Sequence, residues 1–268
     1  MRDEKFQATI QTLLGSDAPR VWSLIVSVFG DLAQQQGDAI SGAVLGEILS
    51  PVGVRAEAMR VALYRLRNEG WIETTKQGRT AQHHLSAEGI QQSVIASHRI
   101  YADAQGANPE WHVLCYPHVI SSDEHSRVER LEKDGYIAIS AVVFLANESL
   151  LTHTADAFVV QGEISEVPDW LSRTLVTPTL VSAFNDLSSA LQSLDIPAEA
   201  LQGLSPCQIA TLRALIVHRW RKLVLRLPDV PDTLFGADFA GIACRAQVMR
   251  TLAQLPRPEL SSLTRTPL

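Results

Sequence analysis

Basic side chains are concentrated between residues 55 and 79 of a chain that is acidic overall, with 23 Lys and Arg against 29 Asp and Glu. The cluster consists of Arg55, Arg60, Arg65, Arg67, Lys76 and Arg79. A guanidinium group presents a planar fork of donors that matches phosphate oxygens or the O6 and N7 atoms of guanine. A local positive excess in an acidic chain therefore predicts one directed anion-binding surface, and it argues against bulk affinity for nucleic acid.

A helix over residues 55–69 is predicted to position most of this cluster. At 3.6 residues per turn, the apolar positions fall on one side of the helix. These are Ala58, Met59, Ala62, Leu63 and Leu66. The opposite side carries Glu57, Arg60, Val61, Tyr64, Arg67 and Asn68, with Arg65 on its flank.

The surrounding chain supplies the other parts of a winged helix-turn-helix. Two apolar-striped helices are predicted over 20–36 and 41–50, followed by a turn in which Gly53 can adopt a positive φ. After Gly70, residues 71–75 and 81–85 predict a hairpin with a basic tip at 76–79. The predicted DNA contacts are Arg55, Arg60, Tyr64, Arg65, Arg67, Asn68, Lys76, Gln77 and Arg79. The alternative is an ordinary helical subdomain with solvated arginines.

The remainder of the chain predicts two further regions, which gives an α+β multidomain fold. Polar residues 105–109 mark a boundary. Strands at 111–116, within 136–145 and at 157–164, with helices at 121–134 and 147–154, suggest a ferredoxin-like βαββαβ unit. Helices over 179–194, 205–226 and 239–255 follow, and His218, Arg221 and Lys222 are expected on the outer side of the second. The predicted domains are 1–92, 93–173 and 174–268.

Cysteine usage and hydropathy restrict the class further. Cys115, Cys207 and Cys244 are far apart and odd in number, which predicts reduced thiols without a disulfide framework or zinc spacing. Neither a signal peptide nor an apolar run of about twenty residues is visible. We expect a soluble, cytoplasmic protein that requires no cofactor and no metal.

Four segments resemble the PaaX-type transcriptional regulators, the phenylacetic acid degradation repressor family. They are SLIVSVFGDL (23–32), VRAEAMRVALYRLRNEGWI (54–72), QGR (77–79) and VHRWRKLVLRLPDVPDTL (217–234). The resemblance implies a winged helix, a Cas2-like ferredoxin domain and a helical C-terminal domain. It further implies a homodimeric repressor of an aromatic-acid catabolic operon that binds palindromic double-stranded operator DNA and is released by an acyl-CoA such as phenylacetyl-CoA.

An acyl-CoA effector would present phosphates to cations and an apolar acyl group to a pocket. The candidate residues lie on the long C-terminal helix and are Arg213, His218, Arg219, Arg221 and Lys222. The alternative is that cations near the end of this helix stabilise its dipole. The chain also departs from the family pattern at Leu227 and at residues 236–241, so its inducer can differ from phenylacetyl-CoA.

Two other functions compete with operator binding. A Cas2-like domain suggests a metal-dependent nuclease, but the first predicted strand ends in Cys115, Tyr116 and Pro117 without a carboxylate to hold Mg²⁺. A winged helix can also act as a protein-interaction module without binding DNA. The sequence predicts a non-enzymatic regulator over both alternatives.

Overall fold

The computed structural model describes residues 2–15, 18–78, 80–102, 111–118, 122–147, 155–162, 165–194, 203–230, 232–236 and 238–263. The chain divides into two compact units. Unit 1 comprises residues 1–103, 182–225 and 240–268, and unit 2 comprises residues 104–181 and 226–239.

The described residues contain both helices and strands. The described helices are α1 (Arg2–Leu14), α2 (Val21–Leu32), α3 (Gly42–Leu49), α4 (Ala56–Asn68), α5 (Ala87–Ile100), α6 (Ser122–Lys133), α7 (Asp169–Leu175), α8 (Pro178–Gln192), α9 (Pro206–Val224) and α10 (Ala240–Gln254). The described strands are β1 (Ile40–Ser41), β2 (Ile72–Gln77), β3 (Thr80–Leu85), β4 (Trp111–Cys115), β5 (Ile137–Ala138), β6 (Val143–Asn147) and β7 (Phe158–Gly162).

The N-terminal part of unit 1 contains α2, α3 and α4 followed by the β2–β3 hairpin. The Ser41 side chain accepts a hydrogen bond from the Val44 backbone N–H and so begins α3. A short 3₁₀ turn over Ser50–Val52 ends at Gly53, whose φ of 85° requires glycine in practice. The strand order is β1-β3-β2, and the hairpin register runs from Ile72 opposite Leu85 to Gln77 opposite Thr80.

Helix α9 is the central element of unit 1. It begins with a capping box in which the Ser205 side chain accepts from the Gln208 N–H, and Pro206 occupies the first turn. Residues 210–218 are buried on every side, because α1, α2, α3, α5 and α10 all pack against this helix. Trp220 is fully buried and donates its Nε1–H to the Ile100 carbonyl at 2.8 Å.

Unit 2 contains an antiparallel four-stranded sheet with the order β5-β6-β4-β7. Leu114 pairs with Phe144 on β6 and with Val159 on β7, which places these three side chains on one face. Leu131 of α6 and Tyr136 join Leu114 and Phe144 in the core of this unit. Gly135, with a φ of 95°, ends α6 as the sequence predicts.

The mixed α+β class predicted from the sequence is confirmed. The predicted helix at 147–154 falls mainly outside the described residues. His218 was expected on the outer side of α9, and that expectation is wrong, since α9 is packed on all sides and His218 is 3% exposed. The three-domain division stays a prediction. Among the residues that the structure describes, no helix combines the length and apolarity needed to cross a membrane.

Candidate nucleic-acid interface

Helix α4 buries one face and exposes the other, as its periodicity predicts, except that Ala58 on the predicted apolar side is exposed. Met59, Ala62, Leu63 and Leu66 are buried against the other helices of unit 1. The opposite face includes large apolar groups that are unusually open to solvent. Val61 is 65% exposed and Tyr64 is 59% exposed. Val61 and Tyr64 are neighbours on one helical face, and contiguous exposed apolar groups rimmed by polar residues mark interaction sites, so this face is a candidate binding surface.

Arg65 is held on one flank of this face. Its Nε donates to Glu69 Oε1 at 2.7 Å, one helical turn further along. Its guanidinium carbon also lies 4.9 Å from the centre of the Trp22 ring on α2. These two contacts fix the direction of the side chain, although both partners of the ion pair are about half exposed and the pair adds little stability.

The other predicted contacts on α4 are exposed. The Arg67 guanidinium carbon lies 5.3 Å from the centre of the Tyr64 ring. Arg60 Nε donates to the Ala56 carbonyl of its own helix at 3.4 Å, which leaves the rest of its guanidinium facing solvent. Arg55 at the N-terminal end and Asn68 at the C-terminal end are exposed as well. The structure therefore brings all the predicted α4 residues to one surface.

The tip of the β2–β3 hairpin carries the remaining predicted contacts. Lys76 and Gln77 are exposed, and Gln82 Nε2 donates to Gln77 Oε1 at 3.4 Å. Gly78 has a φ of 62°, a conformation that a hairpin turn requires. Arg79 lies outside the described residues. The predicted tip therefore projects polar and basic side chains into solvent.

The base of the hairpin is attached firmly to α5. The Ser86 N–H donates to the Trp71 carbonyl at 3.0 Å, and the Ser86 hydroxyl donates to the Gly70 carbonyl at 2.5 Å. The same hydroxyl oxygen accepts from the Gly89 N–H. Within the hairpin, burial and the charge of Arg67 lower the pKa of His83. The Nδ1 atom of His83 lies 2.9 Å from the Thr74 hydroxyl oxygen. The hairpin is thus fixed relative to α4.

A buried ion pair joins α2 to α9, and the sequence analysis did not identify its acidic member. Asp31 is 1% exposed and accepts two hydrogen bonds of 2.7 Å from Nε and Nη2 of Arg213. Arg213 Nη1 donates to the Leu252 and Leu255 carbonyls at the end of α10. The signal was present, because Asp31 follows Leu24 and Val28 in the apolar i, i+4, i+7 stripe of α2.

Tyr101 completes this cluster at the end of α5. Its hydroxyl donates to Asp31 Oδ1 at 2.7 Å. Burial and the Asp31 carboxylate raise the pKa of Tyr101 above its ordinary value, so the hydroxyl remains a donor. Arg257 Nη2 lies 3.5 Å from the same carboxylate oxygen. Asp31 therefore connects α2, α5, α9 and the segment after α10.

Three further contacts place predicted effector residues inside unit 1. Arg221 Nη2 donates to the Ser23 hydroxyl at 2.7 Å and to the Ser23 carbonyl at 3.2 Å. Arg219 Nη1 donates to the Leu13 carbonyl at 3.3 Å. His218 Nδ1 lies 3.4 Å from the Ser27 hydroxyl oxygen. These side chains join α9 to α1 and α2.

The environment of His218 favours its neutral form. Burial, together with the charges of Arg221 and Lys222, lowers the pKa of His218 to about 4. Lys222 is the exposed member of the predicted effector set. The small cavity lined by Ser27, Tyr101 and Arg221 has a volume of about 30 Å³. A space of this size holds a water molecule and is far below the size of a ligand pocket.

The three cysteines are free thiols, as predicted, although only Cys244 is fully buried. Burial, with the adjacent Glu47 carboxylate, raises the pKa of Cys207 to about 12. In the described part of the chain, no group of three or more His, Cys, Asp or Glu side chains is arranged to hold a metal ion. The candidate site is therefore the exposed face of α4, whose side chains can bind another molecule.

Comparison with known proteins adds an independent observation. A protein-family model described as "PaaX-like protein" matches residues 20–89. A second family model, described as "PaaX-like protein C-terminal domain", matches residues 179–260. The chain belongs to the PaaX-type regulator family. It is 26% identical over 249 residues to the Transcriptional repressor PaaX of Escherichia coli (strain K12), covering 83% of this chain and 76% of that protein.

A solved structure shares the fold. The uncharacterized protein Rv0674 from Mycobacterium tuberculosis superimposes with a TM-score of 0.51 at 16% identity, over 87% of this chain and 94% of that chain. At this level of identity the similarity concerns the fold alone.

Proposed function

We propose that this protein is a DNA-binding transcriptional regulator that represses an operon for aromatic-acid catabolism. In this proposal, residues 20–85 form a winged helix-turn-helix in which α4 enters the major groove and the β2–β3 hairpin is the wing. The protein is a regulator in the cytoplasm, and it is not an enzyme. The relative in Escherichia coli, named a transcriptional repressor, supports this class.

One observation carries the proposal: α4 presents an exposed face with arginines on both sides and a polar hairpin fixed beside it. Arg60 and Arg67 are on one side of the exposed face and Arg65 is on the other, while Lys76 and Gln77 extend from the hairpin. Side chains of these types donate to phosphate oxygens and so set the position of a protein on the duplex. A wing next to a recognition helix adds contacts to the flanking backbone.

The architecture of both units supports the finer fold assignment. The small sheet β1-β3-β2 beside three helices fits a winged helix. In unit 2 the strand order β5-β6-β4-β7, with α6 between β4 and β5 along the chain, fits a ferredoxin-like domain of the Cas2 type. We retain the division at 1–92, 93–173 and 174–268 as a proposal for the family domains, beside the two compact units that contacts define.

A homodimer would place two α4 helices in successive major grooves, about 34–36 Å apart on one face of a palindromic operator. We further propose that an acyl-CoA such as phenylacetyl-CoA releases the operator. A ligand can do this only by binding the two conformations with different affinity. Because Arg213 and His218 are 5% and 3% exposed, they would contact such a ligand only if the helices around them separated. Lys222 is accessible without that change.

Selection of tight-binding duplexes from a random pool, followed by fluorescence anisotropy at several salt concentrations, tests the proposal. We expect a recovered consensus with two related half-sites and a linear fall of log affinity with log salt, with a slope of about 0.9 per phosphate contact. Lys76→Ala should weaken binding to all sequences and reduce the slope by about one contact. Lys5→Ala, at an exposed position on α1, is the matched control and should change neither.

The competing functions predict different results. A protein-interaction module shows no salt-dependent binding to any duplex, which would refute the proposal. A nuclease cleaves the bound duplex when Mg²⁺ is added. The effector part is tested separately by titrating acyl-CoA thioesters of different acyl groups into the complex, with free CoA as the control. Release by none of them would reject the effector and leave the DNA-binding part standing.

A further inference from the structure

We propose that the bases of the operator are read by the row Glu57, Val61 and Tyr64, and that the arginines beside this row bind phosphates. The inference rests on the proposed function and specifies which side chains determine sequence preference. The sequence alone leaves open whether the arginines of α4 contact phosphates or guanine, and this inference assigns them to phosphates. The observations that carry it are the position of each residue around α4, the contacts that hold Arg65, and the charge of Glu57.

The outermost line of α4 is not basic. With about 100° between successive residues, Glu57, Val61 and Tyr64 fall within about 60° of one another, and Asn68 at the end of the helix falls in the same sector. They lie opposite the buried line formed by Met59, Ala62, Leu63 and Leu66. A helix that enters a groove points its outermost line at the base edges and its flanks at the two phosphate walls. The arginines are on those flanks.

The contacts of Arg65 keep it on its flank. The guanidinium lies 4.9 Å from the centre of the Trp22 ring on α2, and its Nε lies 2.7 Å from the Glu69 carboxylate. A guanidinium kept in this direction can donate its remaining N–H groups to a phosphate. It would have to break both contacts to reach the floor of the groove.

Val61 matches one feature of the major groove. Its side chain is apolar, 65% exposed and located at the centre of the outward line. The major groove presents a single apolar group, the C5-methyl of thymine. Burying a methyl group against Val61 is favourable, whereas the same side chain gains nothing from a phosphate.

Glu57 matches another feature. A carboxylate is repelled by phosphates, so a phosphate contact is excluded for it. In the described part of the chain its side chain forms no ion pair or hydrogen bond. The cytosine N4 amino group is a donor in the major groove, and it can donate a hydrogen bond to a carboxylate oxygen. Glu57 also lies in the first turn of α4. We therefore assign cytosine to Glu57 and thymine to Val61.

Replacement of thymine by deoxyuridine tests the Val61 assignment, because it removes the methyl group and keeps every hydrogen bond of the base pair. The duplex is the tightest binder recovered from a random pool, substituted at one thymine at a time. We expect one position per half-site at which deoxyuridine weakens binding about fourfold, the effect of one buried methyl group. In Val61→Ala the same replacement should have no effect.

Glu57→Gln tests the cytosine assignment. The variant should lose about tenfold discrimination at one C·G pair and keep its salt slope. Arg60→Ala and Arg67→Ala are the matched comparison, and they should weaken all duplexes equally and flatten the salt dependence. Unchanged thermal unfolding of each variant verifies that it is folded. The four substituted positions are all exposed, namely Glu57, Arg60, Val61 and Arg67.

Three results would overturn the inference. In the first two, the wild type still binds a preferred duplex with a salt-dependent affinity, so the proposed function stands. The first is a deoxyuridine scan without a sensitive position, and the second is a change of base preference in Arg60→Ala. The third is the absence of duplex binding by the wild type, which rejects the proposed function together with this inference.

Discussion

Replacing Asp31 by alanine should destabilise unit 1 more than any surface substitution. The variant leaves Nε and Nη2 of Arg213 and the Tyr101 hydroxyl without their acceptor, in a place where the Arg213 side chain is 6% exposed and that of Asp31 is 1% exposed. Removing one member of a buried pair costs about 3–5 kcal/mol, because the remaining charge stays desolvated. At about 2–4 °C per kcal/mol for a domain of this size, the melting temperature should fall on the order of 10 °C.

Differential scanning calorimetry of the full chain measures this change. Asp169→Ala is the matched control, because Asp169 pairs with Arg173 at 3.8 Å while the two side chains are 93% and 77% exposed. An exposed pair of this kind contributes about 0–1 kcal/mol, so the control should melt close to the wild type. A second variant, Asp31→Leu combined with Arg213→Met, removes both charges and should recover the part of the loss that comes from the unpaired guanidinium.

The reasoning is refuted if Asp31→Ala melts with the Asp169→Ala control. That result would mean that Asp31 does not hold a desolvated charge. If the double variant is as unstable as Asp31→Ala, the loss would come from packing or from the unpaired Tyr101 hydroxyl, and not from the unpaired guanidinium. The difference between the two variants thus separates charge from shape.

Three further predictions concern unit 1. Burial lowers the pKa of His218 to about 4, so the unfolded chain binds a proton that the folded chain does not, and stability should fall as the pH drops from about 6.5 to about 4. His218→Gln should flatten a urea-unfolding series over that range, and an unchanged slope would count against this assignment. Gly89→Ala should lower the melting temperature because its Cβ would stand 2.3 Å from the Trp71 carbonyl oxygen; Gly46→Ala, with a nearest atom at 3.9 Å, should not. Burial raises the pKa of Cys207 to about 12, so its thiol should react with iodoacetamide at pH 8 far more slowly in the folded chain than in urea, and equal rates would contradict the prediction.

Local signals in the sequence predicted the elements around α4 well. The turn glycine Gly53 and the apolar periodicity of α4 each depend on residues close together in the chain. The bounds of α4 could therefore be predicted to within one residue at each end. The directions of the Arg65 and Arg67 side chains could not be predicted, because they depend on contacts with Trp22 and Tyr64.

The environment of α9 could not be predicted for a different reason. Its wheel has one clearly apolar stripe, which predicts His218, Arg221 and Lys222 on the outer side. In the structure Lys222 is exposed, but His218 is buried and Arg221 bonds to α2. Arg213, Arg219 and Arg221 all bond to partners more than 180 residues away in the chain. A buried cation has the same sequence pattern as an exposed one until its distant partner is known. The Asp31 position within an apolar stripe was the one local signal of that partner.

The bonds between α2 and α9 have a consequence for chimeric regulators. A polypeptide cut after α5 would retain Asp31 without Arg213 and would uncover the apolar side of α2 that α9 covers. Grafting residues 1–102 onto the sensory region of another protein should therefore give an aggregation-prone hybrid. Sequence specificity is exchanged more safely by replacing only the outward residues of α4, since none of them contributes to the contacts between α2 and α9.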